Sequence, residues 1–138
     1  MFDHCLYFNT SALARRLERE WAAVFQPFGL TPPQAFMLRA ILDKPGMLQR
    51  QLADELGVSR PTATRALDGL EGKKLVERRR SDSDGREFSM HATAAAQEIQ
   101  KSLNEASRSV TKRLKKLLGD DNFTDVVAKV RGVRSALM

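Results

Sequence analysis

The chain has a single cysteine, so it carries no intrachain disulfide framework, and with only two histidines no Cys/His cluster reaches zinc-binding spacing. No apolar run approaches the length of a membrane span, and the N-terminus lacks a charged segment followed by an apolar stretch and a cleavage site. A cytoplasmic protein with no membrane contact is the expectation. There is no nucleophile elbow, P-loop, zinc motif or dinucleotide fingerprint, and His4 and His91 stand alone in sequence. Neither an enzyme nor a bound cofactor is expected. Repeats, low-complexity tracts and linkers are also missing, and 138 residues with 42% hydrophobic content suit one domain with a moderate core.

What the chain does have is positive charge. Lysine and arginine number 23 against 17 acids, a net charge of +6. The isoelectric point near 9.9 favours a polyanionic partner, although basic charge alone also suits a solvated face or an acidic membrane.

The informative stretch is Gly57-Val58-Ser59-Arg60-Pro61-Thr62-Ala63-Thr64-Arg65. Before it, Leu52, Ala53 and Leu56 share one face of a short helix from Gln49 to Leu56. Gly57 can take the left-handed conformation that stops this helix, and Ser59 is a good N-cap for the next one. Pro61 costs nothing there, because early helix amides have no intrahelical partner. The second helix is expected from about 60 to 74, with Ala63, Ala66, Leu67 and Leu70 inward, Pro61, Arg65 and Asp68 outward, and Thr62 and Thr64 on the flanks. Two short helices across a glycine turn form a helix-turn-helix, whose second helix presents its N-terminal side chains to base edges in the DNA major groove. Arg65 suits bidentate pairing with guanine, and Ser59, Thr62 and Thr64 reach phosphates or bases at short range. An ordinary helical hairpin in a soluble core fits the same residues.

Two strands follow, about 75–80 and 87–91, joined by the turn-rich Ser81-Asp82-Ser83-Asp84-Gly85-Arg86. Such a hairpin with a basic tip, directly after a recognition helix, makes a wing. Arg86 suits insertion into a narrow minor groove, with Asp84 holding the guanidinium, and Arg80 adds charge at the end of the first strand. The fold class expected is mainly α with a small β wing.

Gln51-Leu52-Ala53, Leu56-Gly57-Val58-Ser59, Leu70, Leu75-Val76 and Asp84-Gly85-Arg86 resemble the winged-helix repressors of the multiple-antibiotic-resistance regulator (MarR) family, over nearly the whole chain. The resemblance implies that Asp84 orients Arg86 into the minor groove; Ser59, Arg60, Thr62, Thr64 and Arg65 are the helix-turn-helix residues expected to face double-stranded DNA. One departure is Ala92-Thr93 followed by Ala96, where the family often has Leu-Thr and a glycine.

Outside the wing, residues 4–25 place Leu6, Leu13, Leu17, Trp21, Val24 and Phe25 mainly on one helical face. Thr31-Pro32-Pro33-Gln34 has the capping-box pattern for a helix over about 32–42, with Phe36, Met37, Ala40 and Ile41 expected on its buried side. Thr93 is the expected cap of a long helix through about 118, along which Ile99, Leu103, Ala106, Val110, Leu114 and Leu117 repeat at steps of three and four. A last helix from about 121 carries Phe123, Val126, Val127, Val130 and Val133. The terminal helices hold more apolar surface than a small winged-helix core needs. The family resemblance implies a homodimer, with about 31–92 as the DNA-binding lobe and about 1–30 and 93–138 as dimerisation helices. A small aromatic effector between the two parts is implied in the same way.

Cys5 lies near the start of the first helix, where the helix dipole favours a thiolate. Cys5-Leu6-Tyr7-Phe8 resembles the reactive-cysteine segment of the family's organic-hydroperoxide-sensing branch. That branch uses tyrosines further along to position its thiolate, whereas Tyr7 is the only tyrosine here, with Asn9 and Arg19 nearby. A small buried hydrophobe at a dimer interface is the alternative role for Cys5. The functional expectation is a DNA-binding transcriptional regulator, a repressor released from a pseudo-palindromic operator by a small molecule. The alternatives are an oxidant sensor using Cys5 and an architectural DNA-binding protein without an effector.

Overall fold

Local signals set most element boundaries in the computed structural model, which describes residues 1–80 and 87–138. Helix α1 (Leu6–Phe25) runs into a 3-10 turn at Gln26–Phe28. Helix α2 (Pro32–Asp43) opens with a true capping box: the Gln34 amide donates to the Thr31 hydroxyl at 3.4 Å, and the Thr31 amide donates to the Gln34 carboxamide oxygen at 3.1 Å. Helices α3 (Gln49–Leu56) and α4 (Arg60–Gly72) follow, then strands β1 (Val76–Arg80) and β2 (Phe88–Ala92). Helix α5 (Ala94–Leu118) begins at Thr93, whose hydroxyl accepts from the Ala96 amide at 3.3 Å, and α6 (Asp120–Ala136) ends the chain.

The fold is mostly helical with one small antiparallel sheet, as the sequence suggests. Strands β1 and β2 pair from Val76 opposite Ala92 to Arg80 opposite Phe88, and an isolated bridge from Leu48 to Ser89 ties the sheet to the entry of α3. Strand ends fall within one residue of expectation, and α4 ends two residues early, at Gly72.

The core gathers Phe25, Leu38, Leu52, Leu67, Met90 and Leu103 from six different elements, all essentially inaccessible. Full burial of one such side chain contributes about 1.5–3 kcal/mol, so this cluster holds the helix-turn-helix against α1 and α5. Helix α2 departs from its expected facing. Met37 and Ile41 are buried, but so are Ala35 and Leu38, while Ala40 is half-buried and Phe36 keeps 38% of its surface. The physical reason is that α2 packs against α1, α3, α4, α5 and β2 together, so its buried face is wider than a single stripe. The stripe of α5 fades at its end, with Leu103 and Val110 buried and Leu117 exposed. On α6 the residues Val126, Val127, Val130 and Val133 are all exposed.

Candidate nucleic-acid interface

The turn between α3 and α4 is built as glycine demands. Gly57 has φ 65°, in the left-handed region, and its amide returns to the Ala53 and Asp54 carbonyls. The next amide, of Val58, donates to Ala53 at 3.0 Å. The chain then enters α4 through Ser59, whose hydroxyl oxygen accepts from the Thr62 amide at 3.3 Å.

Three of the expected DNA-facing residues form one hydrogen-bonded chain on the first turns of α4. The Ser59 hydroxyl donates to Thr62 Oγ1 at 2.9 Å, and Arg65 Nη2 donates to the same oxygen at 3.2 Å. Arg65 is exposed and has no carboxylate partner among the described residues, which leaves most of its donors available. Arg60 is exposed and lines a groove of about 220 Å³ between the start of α4 and the sheet, with Arg50 and Phe88 on its other walls. Thr64 is placed differently from these. It is half-buried, its hydroxyl donates to the Arg60 carbonyl at 3.0 Å, and the Gln49 carboxamide donates to it at 2.6 Å. Its hydroxyl thus joins α3 to α4.

Arg80 ends β1 with its guanidinium 5.8 Å from the centroid of the Phe88 ring. Asp84 and Arg86, the expected wing-tip pair, lie outside the described residues. The wing's base is anchored by a residue that sequence reasoning passed over: Arg78 pairs with Asp68 of α4 at 2.5 Å and with Glu71 at 3.6 Å. A second missed tie is Arg50 to Glu87 at 2.8 Å, and this hydrogen bond raises the Arg50 pKa above the ordinary arginine value. Neither tie has a sequence signal, because the partners meet only through the tertiary fold.

Behind the recognition helix lies a cleft of about 600 Å³. Leu17 and Trp21 of α1, Phe36 and Met37 of α2, and Val58 and Ala66 of the helix-turn-helix are among its walls. The tryptophan is fixed in place by its indole N–H, which donates to the buried Ser107 hydroxyl at 3.0 Å. Arg39 donates to the same hydroxyl at 3.0 Å and to Asn104 at 2.8 Å, with its guanidinium 5.1 Å from the Phe36 ring centroid. Burial, with Arg108 nearby, pushes the Arg39 pKa below the ordinary arginine value. Cys5 is exposed at the N-cap position of α1, well before the residues that line this cleft.

Comparison with known proteins agrees with this arrangement. A family model described as MarR family matches residues 28–87. The HTH-type transcriptional regulator MgrA of Staphylococcus aureus is 29% identical over 125 residues, 83% of this chain and 85% of its own length. The transcriptional repressor CouR bound to a 23-mer DNA duplex superposes with a TM-score of 0.88 at 27% identity, covering 96% of this chain and 94% of that one. CouR bound to p-coumaroyl-CoA gives a TM-score of 0.87 at 25% identity with the same coverage. No helix among the described residues is long and apolar enough to cross a membrane. Residues 28–87, which hold the helix-turn-helix, thus match the MarR family, and the chain as a whole has the winged helix-turn-helix fold of DNA-binding transcriptional regulators.

Proposed function

We propose that this chain is a homodimeric repressor that occupies a pseudo-palindromic operator and leaves it when a small aromatic effector fills the cleft behind α4. The observation that carries this reading is the cleft itself. Its walls come from the terminal helix α1, from α2 and from the helix-turn-helix, so an occupant touches both parts of the molecule at once. Trp21 and Phe36 offer flat apolar surface, as aromatic ligands prefer. CouR, with the same fold, has been captured with DNA and with p-coumaroyl-CoA.

In this reading Ser59, Arg60, Thr62, Thr64 and Arg65 lie at the major groove, with Arg80 at the base of the wing and Asp84 and Arg86 at its tip. Residues 31–92 form the DNA-binding lobe, and 1–30 and 93–138 form the dimerisation helices. The exposed valines of α6 support that assignment, because a second copy would remove them from water. A two-fold dimer sets its recognition helices about one DNA turn apart, roughly 34–36 Å. Effector binding then acts by population shift. A tenfold loss of operator affinity needs only about 1.4 kcal/mol of differential binding between the two dimer states.

The oxidant-sensing alternative rests on Cys5 alone. Its thiol has no hydrogen-bond partner among the described residues, so the cleft takes precedence. The test is fluorescence anisotropy on DNA from upstream of the chain's own gene, with and without aromatic acids and their thioesters. A specificity ratio over random DNA of about 10³ or more is expected. A ratio near one, set only by salt, would make this an architectural DNA-binding protein.

A further inference from the structure

Arg65 stands on α4 between two side chains that can each hold it, Thr62 three residues before and Asp68 three residues after, both neighbours on the helix surface. A guanidinium beside a carboxylate normally takes it, because a charge-assisted hydrogen bond is about twice as strong as a neutral one. Arg65 does not. Its Nη2 donates to Thr62 Oγ1 at 3.2 Å, while Asp68 Oδ1 accepts from Arg78 Nη2 at 2.5 Å. Arg78 belongs to β1, and its Nε lies 3.6 Å from Glu71 Oε2, so one cation from the wing faces both carboxylates in the second half of α4. Asp68 keeps 58% and Glu71 46% of their side-chain exposure, and ion pairs this exposed add little to folding stability. What the contact decides is the partner left to Arg65.

Building on the reading of Arg65 as a base contact, we infer that Arg78 is a positioning residue for it: by occupying Asp68, the first strand of the wing keeps the Arg65 guanidinium on Thr62 and available to DNA. Thr62 is an uncharged partner that yields the guanidinium to a guanine edge. Asp68 without Arg78 is a charged partner that competes with that edge. Wing and recognition helix are thereby coupled through one ion pair. A displacement of β1 that parts Arg78 from Asp68 weakens base reading with no movement of α4 itself.

The test is competition anisotropy on a duplex that the protein enriches from a random pool, and on copies of it with single base pairs replaced. R65A identifies the base pair at which discrimination between the two is lost. At that pair R78M should lower the ratio of enriched to replaced affinity about threefold, the size expected of an exposed carboxylate competing from three residues away. Methionine keeps the apolar stem of Arg78 in place. Adding D68A to R78M should restore the ratio, because Arg65 then has no carboxylate beside it, and Asp68 is exposed, so its truncation opens no core. Loss of a merely structural anchor would weaken all duplexes alike and would not be repaired by D68A. A ratio that stays at the wild-type value in R78M, or falls and is not restored by D68A, overturns the inference and leaves Arg65 as a base contact. If R65A lowers the ratio at no base pair, the reading of Arg65 itself fails, and the inference with it.

Discussion

The indole N–H of Trp21 donates to the Ser107 hydroxyl at 3.0 Å, joining α1 to α5 across 86 positions of sequence. Arg39 of α2 donates to the same oxygen at 3.0 Å, so one small side chain satisfies donors from two helices. Replacing it with alanine leaves both donors without that acceptor. Ser107→Ala should cost about 1–3 kcal/mol, read as a lower urea midpoint with unchanged slope at fixed protein concentration. An unchanged midpoint would mean that water replaces the hydroxyl and that the tie is not structural.

Lys74 is the one non-glycine residue among those described with positive φ, at 60°. It follows α4, and its carbonyl accepts from the Thr93 hydroxyl at 2.8 Å, so the bend is held by the cap of α5. A left-handed residue with a Cβ is strained by about 1–2 kcal/mol, of which glycine's extra unfolded-state freedom cancels part. Lys74→Gly should raise stability by about 0.5–1 kcal/mol, measured by thermal unfolding. A lower Tm would show that the lysine side chain contributes more than the strain.

On DNA, the arginines proposed for the interface should separate by role. Arg65→Ala should cost about 1–3 kcal/mol on the operator and relax one base position. Arg60→Ala should weaken binding to all sequences alike and reduce the salt slope by about one. Arg86→Ala should alter mainly the preference for flanking A·T pairs. If affinity is indifferent to both Arg65→Ala and Arg86→Ala, the DNA surface has been placed on the wrong face.

For Cys5, the expectation is that reduced protein, protein treated with an organic hydroperoxide and the Cys5→Ser variant bind operator DNA equally. The thiol is exposed and unpartnered among the described residues, so nothing there positions it for reaction. Binding lost on oxidation, restored by a thiol reductant and retained in Cys5→Ser would move the regulatory role from the cleft to this residue.

Sequence alone determined the features that act over a few residues. The left-handed Gly57, the Ser59 and Thr93 caps and the Thr31–Gln34 capping box each need only partners within four positions, so composition and spacing are enough to place them. The inward face of α4 was legible for a related reason: Ala63, Ala66, Leu67 and Leu70 cover a helix that packs mainly on one side. The tertiary structure decided what depends on distant partners. Phe36 lines a cleft instead of the core because α2 turns Ala35, Met37, Leu38 and Ile41 inward, and Phe36 falls outside that arc. The Thr64 hydroxyl is engaged by Gln49, and Trp21, Arg39 and Ser107 meet only when three helices pack. Periodicity reports which face of a helix is apolar, but which neighbour covers that face, and where two surfaces leave a gap, follows only from packing in three dimensions.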